Sequence, residues 1–271
     1  MDGHQGHTQG SYDLGIVFLI PLGLAAAAYI GATITEKRRG RREWPTYRLI
    51  FGILGFSAIA ATLVGPLAEQ SHTSFTAHMA AHLLVGMLAP LLIVLSAPIT
   101  LALRTLHVVP ARRITTMLNS GPARFLTHPI PAAVFNLGSL WALYATSLSE
   151  VMQSNPLLHY LLLVHFFIVG YLFTVSLVNV DPTPHRASFR LRLGVLLVAI
   201  AGHSILAKHI YIHPPAGTTV VDAQTGGMLM FYGGDFIELA LAAVIFAQWY
   251  ARSRPAPSLP RGDKGTPRPV A

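Results

Sequence analysis

The architecture of this chain can be worked out from one segment, residues 75–104, which reads FTAHMAAHLLVGMLAPLLIVLSAPITLALR. Its first turns carry His78 and His82, with Met79 between them, and the rest is almost wholly apolar. Side chains four residues apart lie on one face of a helix, so the two imidazoles can ligate one metal ion. Pro90 and Pro98 interrupt the backbone hydrogen bonding of the run and predict a bent helix.

The composition is that of an integral membrane protein. Of the 271 residues, 52% are hydrophobic and only 11% are charged, whereas about a quarter of the residues of a soluble domain are charged. The mean hydropathy is +0.52. We therefore attribute the net charge of +8 to membrane topology and expect no nucleic-acid partner. Because the chain has no cysteine, disulfides and thiolate metal sites are excluded.

Seven apolar runs predict an all-α integral membrane protein with seven transmembrane helices, since each run is close to the roughly 20 residues that cross the hydrocarbon layer. The runs are residues 14–34, 47–68, 75–104, 131–149, 157–180, 191–209 and 231–250. The predicted organisation is a His-containing extracytoplasmic tail at 1–13, a membrane domain at 14–251 and a disordered basic tail at 252–271.

The positions of the basic residues predict the orientation of these helices. Segments 35–48, 104–130, 181–192 and 252–271 together hold 18 of the 19 Lys and Arg residues, and Lys208 is the exception. Positively charged connections stay in the cytoplasm. The N terminus is therefore predicted to lie outside and the C terminus in the cytoplasm.

Ten of the 13 histidines fall in the outer leaflet or beyond it under this topology. Polar side chains at membrane depth usually face the interior of a helix bundle, so this clustering favours a metal pathway. Without thiolates, two or three imidazoles with an auxiliary thioether suit Cu(I). The candidate metal ligands are His78, His82, His159, His165, His203 and Met79.

A structural role for the same side chains remains open at this point. A histidine in a membrane helix often only hydrogen-bonds a backbone carbonyl, and methionine is common packing material. His159 and His165 are six residues apart, which places them about 120° apart around a helix. Both would line the same cavity only if that cavity were wide.

Several motifs resemble those of a known family. Residues 78–104, HMAAHLLVGMLAPLLIVLSAPITLALR, closely resemble the signature of the multi-spanning CtaG-like (caa-type) cytochrome c oxidase assembly factors. Further matches are NPLLHYLLLVHF at 155–166, DPTP at 181–184, AGHSILA at 201–207 and DAQTGGMLMFYGGD at 222–235. The resemblance covers residues 44–249 and does not extend to the single-span copper chaperones that share the name CtaG.

The resemblance implies a non-enzymatic factor that matures a terminal oxidase, with cytochrome c oxidase subunits as partners. It also implies copper handling on the outer face of a bacterial-type plasma membrane. Two other functions use the same histidines. One is a copper permease, which needs ligands that continue towards the cytoplasm, where the helices offer almost none. The other is a haem b redox protein in which His82 faces His165 or His203.

Overall fold

In this computed structural model, residues 3–40, 43–146, 148, 155–182 and 187–253 are described. Their regular structure is entirely helical, which confirms the predicted all-α class. The helices are α1 (Gly3–Arg38), α2 (Thr46–Leu63), α3 (Pro66–Ser71), α4 (Phe75–Leu83), α5 (Ala89–Leu95), α6 (Pro98–Thr105), α7 (Val108–Leu118), α8 (Gly121–Leu126), α9 (Pro129–Tyr144), α10 (Pro156–Leu177), α11 (Phe189–Ile212) and α12 (Val220–Ser253).

Six helical segments in the described part of the chain are long and apolar enough to cross a membrane, so the chain is a membrane protein. They are Leu14–Arg38, Thr46–Leu63, Phe75–Leu95, Leu157–Leu177, Phe189–Ile212 and Val220–Ser253. The predicted fourth span corresponds to α9, whose 16 residues extend about 24 Å, less than the roughly 30 Å of hydrocarbon. Residue 149, where this span was predicted to end, and residues 150–154 of the predicted turn lie outside the described residues. The seven-span count and the orientation of the termini therefore stay predictions.

Two helices begin earlier than hydropathy predicted. Helix α1 begins at Gly3 and so includes most of the predicted tail at 1–13. Helix α12 begins at Val220 rather than near residue 231, because a Gly-rich segment that looked like a connection is helical. Glycine is a poor helix former in water, but in a membrane helix it permits close packing, which outweighs the low propensity. Residues 254–271 of the predicted basic tail lie outside the described residues.

The central segment is interrupted in two places. Helix α4 runs into a π-helical turn at Leu84–Leu88 and continues as α5, which contains Pro90 at its start. Pro90 lacks the N–H that an α-helix would direct to the carbonyl of Gly86, and a π turn accommodates such a loss. The second interruption is at Ala97, whose φ of 53° ends α5 and allows α6 to begin at Pro98.

The π turn is also where α10 meets the central segment. A Cβ atom added to Gly170 of α10 would collide with the carbonyl oxygen of Gly86. The two backbones are therefore in direct contact, and only glycine fits at this position of α10. This contact fixes the depth at which α10 lies against α4.

Two pairs of glycines bring α12 close to both of its neighbours. Gly226 and Gly233 are seven residues apart and face α4, whereas Gly227 and Gly234 have the same spacing and face α11. A Cβ atom at each would press against side chains or backbone of the neighbouring helix: Phe75 and Leu83 on α4, and Ala207 and His203 on α11. Helix α12 therefore packs tightly between α4 and α11, and the three helices form one unit.

A carboxylate from α12 caps the start of α4. Asp222 accepts hydrogen bonds from the backbone N–H of Phe75 at 2.7 Å and of Thr76 at 3.0 Å, and from the Thr76 hydroxyl at 2.6 Å. The Ser74 hydroxyl adds a longer bond of 3.2 Å. Backbone donors in the first turn of a helix have no partner within the helix, so this carboxylate satisfies them from outside. It ties α12 to α4 at the end that is predicted to lie outside, referred to below as the outer end.

A second aspartate caps a helix in the same way at the opposite end of the molecule. Asp181, which follows α10, accepts hydrogen bonds from the N–H of Thr100 at 2.8 Å, from its hydroxyl at 2.6 Å and from the N–H of Ile99 at 3.3 Å. Burial raises the pKa of the Asp181 carboxyl, and the hydrogen bonds from Thr100 and Ile99 partly offset this rise. Asp181 thereby caps α6 and connects it to the end of α10.

Aromatic and basic side chains hold α1 against α2 at this opposite end. The Tyr29 hydroxyl lies 3.0 Å from the Arg48 carbonyl and 3.1 Å from the Ser96 carbonyl, and it accepts a hydrogen bond from the Trp44 indole. The guanidinium groups of Arg48 and Arg104 both lie over the Trp44 ring, at 4.9 and 5.5 Å from its centroid. Cation–π contacts of this kind are typical of the headgroup region of a membrane protein.

Reporter fusions test whether α9 crosses the membrane. With seven spans, alkaline phosphatase fused after Glu150 or Ala216 should be active and a green fluorescent protein fused there dark, while fusions after Ser120 or Arg252 should show the reverse. If α9 instead lies within one leaflet, the fusions after Ser120 and Glu150 will report the same side. A cytoplasmic signal at Ala216 would contradict the predicted orientation.

Removal of the Asp222 cap should destabilise the outer end. Asp222→Ala leaves the first backbone donors of α4 unsatisfied, and loss of a helix cap costs about 0.5–2 kcal/mol. We expect the melting temperature of the purified protein in detergent to fall by a few degrees. Glu43→Ala, which removes an exposed carboxylate between α1 and α2, should leave the melting temperature unchanged. Equal melting temperatures for the two variants would show that the cap contributes little.

Candidate metal site: two groups of histidines

Three imidazoles lie together at the outer end of the molecule. His72 follows α3, His78 lies in the first turns of α4, and His159 lies in the first turn of α10. The ring centroids of His72 and His159 are 4.8 Å apart, and those of His78 and His159 are 6.0 Å apart. We call this set the outer group. Two helices and the residue that follows a third thus bring three imidazoles to one place.

Tyr144, at the end of α9, orients one ring of the outer group. Its hydroxyl lies 3.1 Å from Nε2 of His78, and its ring packs edge-on against Phe75. A hydrogen bond to one imidazole nitrogen fixes which nitrogen remains available to a ligand. The second nitrogen of His78 is therefore the one that the geometry leaves for metal binding.

His72 was not among the predicted ligands. In the sequence it lies in the short polar stretch between the apolar runs 47–68 and 75–104, and nothing local indicates that this stretch packs against α10. Burial lowers the pKa of the His72 imidazole, which keeps it neutral at physiological pH. Neutral imidazole is the form that binds metals.

A second set of polar side chains lies deeper, around a cavity enclosed by α4, α9, α10, α11 and α12. His82, His203 and Glu238 line this cavity, and their side chains belong to α4, α11 and α12. They are 5%, 3% and 4% exposed, respectively. The cavity has a volume of about 30 Å³, enough for a water molecule or a small ion. We call this set the inner group.

Several polar atoms of the inner group have no hydrogen-bond partner in the described structure. They are Nε2 of His82, both ring nitrogens of His203 and Oε2 of Glu238. Nδ1 of His203 lies 3.9 Å from Oε1 of Glu238, which is too long for a hydrogen bond. Buried polar atoms almost always have partners, so atoms that surround a cavity without bonding to each other suit a polar guest.

Glycines make room for both imidazoles of the inner group. The ring of His82 lies 3.2 Å from the position that a Cβ atom of Gly86 would occupy. A Cβ atom on Gly234 would collide with the ring of His203. Both glycines belong to motifs that resembled the assembly-factor family, and their role here is to let the helices close around the imidazoles.

The structure assigns His78 and His82 to different groups. They are one turn apart on α4, yet His78 lies near His159 of α10, whereas His82 lines the same cavity as His203 and Glu238. Within the described residues, no cluster of three or more His, Asp or Glu side chains has the geometry of a preformed metal site. The predicted metal site therefore stays a prediction, and its residues divide between two places.

Two of the predicted ligands lie in neither group. His165 is exposed on the outer surface of α10, next to Val164 and away from the cavity. Met79 is fully buried in an apolar cluster with Leu143 and Met230, where it serves as packing. The orientation of His165 could not be read from sequence spacing, because α10 is apolar on every side and its rotation depends on how it packs.

Comparison with known proteins agrees with the motifs. The profile of the cytochrome c oxidase caa3 assembly factor family (Caa3_CtaG) matches residues 27–252. Uncharacterised proteins of Mycobacterium bovis (strain ATCC BAA-935 / AF2122/97) and Mycobacterium tuberculosis (strain CDC 1551 / Oshkosh) are each 33% identical over 250 residues. These matches cover 84% of this chain and 38% of each relative.

An uncharacterised protein of Mycobacterium leprae (strain TN) is 26% identical over 242 residues, which cover 82% of this chain and 37% of the relative. The chain thus spans little more than a third of the length of these curated relatives. No solved structure matches it. The family match confirms the resemblance that the central segment predicted: the chain belongs to the cytochrome c oxidase caa3 assembly factor family.

Proposed function

We propose that this chain is a non-enzymatic assembly factor that binds Cu(I) through histidines of the outer leaflet, first of all the outer group, and supports metal delivery to cytochrome c oxidase. The observation that carries the proposal is the convergence of five imidazoles from α4, α10, α11 and the end of α3 on two adjacent positions. A purely structural role would not require so many polar rings at one end of an apolar bundle.

The donor atoms suit Cu(I) better than other common ions. The chain has no cysteine, so imidazole nitrogen is the principal donor that it offers. Imidazole ligands bind copper well, and Cu(I) accepts two or three of them without the larger coordination number that hard cations demand. His78 and His159 are the proposed ligands at the outer group, with His72 beside them. Met79 is better explained as packing than as a ligand.

The proposed place of action is the outer side of a bacterial-type plasma membrane. The distribution of basic residues supports this side, since the outer group lies at the end opposite the Arg-rich connections. An oxidase subunit that receives copper would dock where the outer group is accessible, near the start of α4 and α10. The oxidase subunits and the bilayer are the proposed partners.

The two alternative functions have less support. A permease needs ligands below the inner group, but the core there is formed by apolar side chains such as Leu91, Val94, Phe173 and Leu241. A haem protein needs a pocket of porphyrin size, whereas the cavity between His82 and His203 holds about 30 Å³. The buried geometry therefore favours a small ion that enters and leaves from the outer end.

Loss of the outer group should produce an oxidase that is assembled but short of copper. In a strain that lacks the native gene, the wild-type chain should restore oxidase activity, whereas His78→Ala combined with His159→Ala should leave it several-fold lower. The measurements are oxygen consumption with reduced cytochrome c and the copper-to-haem ratio of the purified oxidase. Immunoblots must show that the variants accumulate to wild-type levels.

His165→Ala is the matched control, since it removes an exposed imidazole from the same helix as His159. It should restore the oxidase fully. Normal copper content in cells that carry the double variant would show that the outer group is structural. A deficit with His165→Ala equal to that of the double variant would contradict the placement of His165 away from the site.

A further inference from the structure

We propose that the inner group is a second, separate Cu(I) site in which Glu238 supplies the anionic ligand and His82 and His203 supply the nitrogen donors. This inference rests on the proposed function and adds to it a carboxylate that sequence spacing did not single out as a ligand. It also replaces the single site shared by His78 and His82 with two sites in series along α4.

The first argument concerns the unsatisfied atoms. Glu238 is 4% exposed and its Oε2 atom has no hydrogen-bond partner in the described structure. The same is true of Nε2 of His82 and of both ring nitrogens of His203. A buried polar atom without a partner costs about 1–3 kcal/mol, so leaving four around one small cavity is unfavourable unless a guest satisfies them.

The second argument concerns charge. A carboxyl group in an apolar interior keeps its proton unless a cation is nearby, because desolvation of the charged form is very costly, so a cation that binds here would release the proton of Glu238 to solvent. No Lys or Arg is among the described residues that line this cavity. A monovalent cation with one carboxylate and two neutral imidazoles forms a site with no net charge. With these three ligands alone a divalent ion would keep one positive charge, so Cu(I) matches the ligand set better than Cu(II) or Zn(II).

The third argument concerns the space around the two imidazole rings. Gly86 and Gly234 leave room for the rings of His82 and His203, because a Cβ atom at either glycine would press against the ring beside it. The cavity of about 30 Å³ accommodates a bare ion but not a hydrated one. An ion must therefore lose its water to enter, and it does so by exchanging water for imidazole and carboxylate ligands.

The position of the inner group provides a route of entry. His78 and His82 are one turn apart on the same face of α4, and side chains four residues apart in a helix have Cβ atoms about 5–6 Å from each other. An ion held at the outer group by His78 therefore needs only a short step to reach His82. The inner site would then hold an ion that the outer group has received.

The test is a Cu(I) titration of the purified full-length protein in detergent. Copper is added as Cu(I) under anaerobic, reducing conditions, and a chromophoric Cu(I) chelator competes for it. The wild-type protein should bind two ions. Glu238→Gln, which preserves the shape of the side chain but removes its charge, should bind one, and His203→Ala should also bind one. The combined His78→Ala and His159→Ala variant should keep only the inner ion.

The controls separate a lost ligand from a lost fold. Glu43→Gln removes a carboxylate that is exposed in the connection between α1 and α2, and it should bind two ions. Size-exclusion profiles and melting temperatures of all variants are compared without copper. Copper should raise the melting temperature of Glu238→Gln less than that of the wild type, since one fewer ion stabilises the folded state.

Each outcome has a distinct meaning. If Glu238→Gln and His203→Ala both bind as much copper as the wild type, then Glu238 and His203 are a structural pair and the second site is overturned, while the proposed function stands. If equimolar Zn(II), added in a parallel titration, displaces Cu(I) from the inner site, the assignment of this site to Cu(I) is overturned. If the wild type binds no copper and oxidase copper does not depend on the chain, the proposed function itself fails.

Discussion

The close approach of α12 to α4 and α11 is the constraint on which both histidine groups depend. Gly233 meets Leu83 of α4, and Gly234 meets the ring of His203 on α11. A Cβ atom at either position would displace Leu83 or the ring of His203 and so disturb the cavity between the helices. Glu238 lies one turn after Gly234 on α12. The close packing at Gly234 therefore also places the Glu238 carboxyl group at the cavity that His82 and His203 line.

Two aspartate side chains hold the ends of the central segment against neighbouring parts of the bundle. Asp222 fixes the start of α4, where His78 lies, and Asp181 fixes the start of α6 at the other end of the central segment. Between them the segment is free to bend, and it does so at the π turn before Pro90 and at Ala97. His78 and His82 lie on α4 before either bend, so their different surroundings follow from which neighbours each depth of the bundle presents: α10 and the end of α3 beside His78, and α11 and α12 beside His82.

The sequence was sufficient to predict properties that depend on composition and local spacing. Hydropathy located the apolar helices, and the motif around His78 and His82 identified the family. Contacts between distant segments were not accessible in this way. The roles of Asp222 and His72 depend on chain reversals that leave no local pattern, and the exposure of His165 depends on the rotation of a helix that is apolar on all sides. The length of α9 likewise depends on where packing ends the helix.

If the chain handles copper as proposed, the arrangement of the two groups gives a physical reason for placing the sites inside a membrane protein. An ion bound by imidazoles near the outer surface remains within reach of a docked partner, while an ion bound more deeply is shielded from water and from competing ligands by the apolar walls of the bundle. Below the inner group the core is closed by Leu91, Phe173 and Leu241. Under the proposed function, an ion that entered from the outer end would leave from the same end, and such a dead-end path would suit a protein that stores and hands over metal rather than one that transports it.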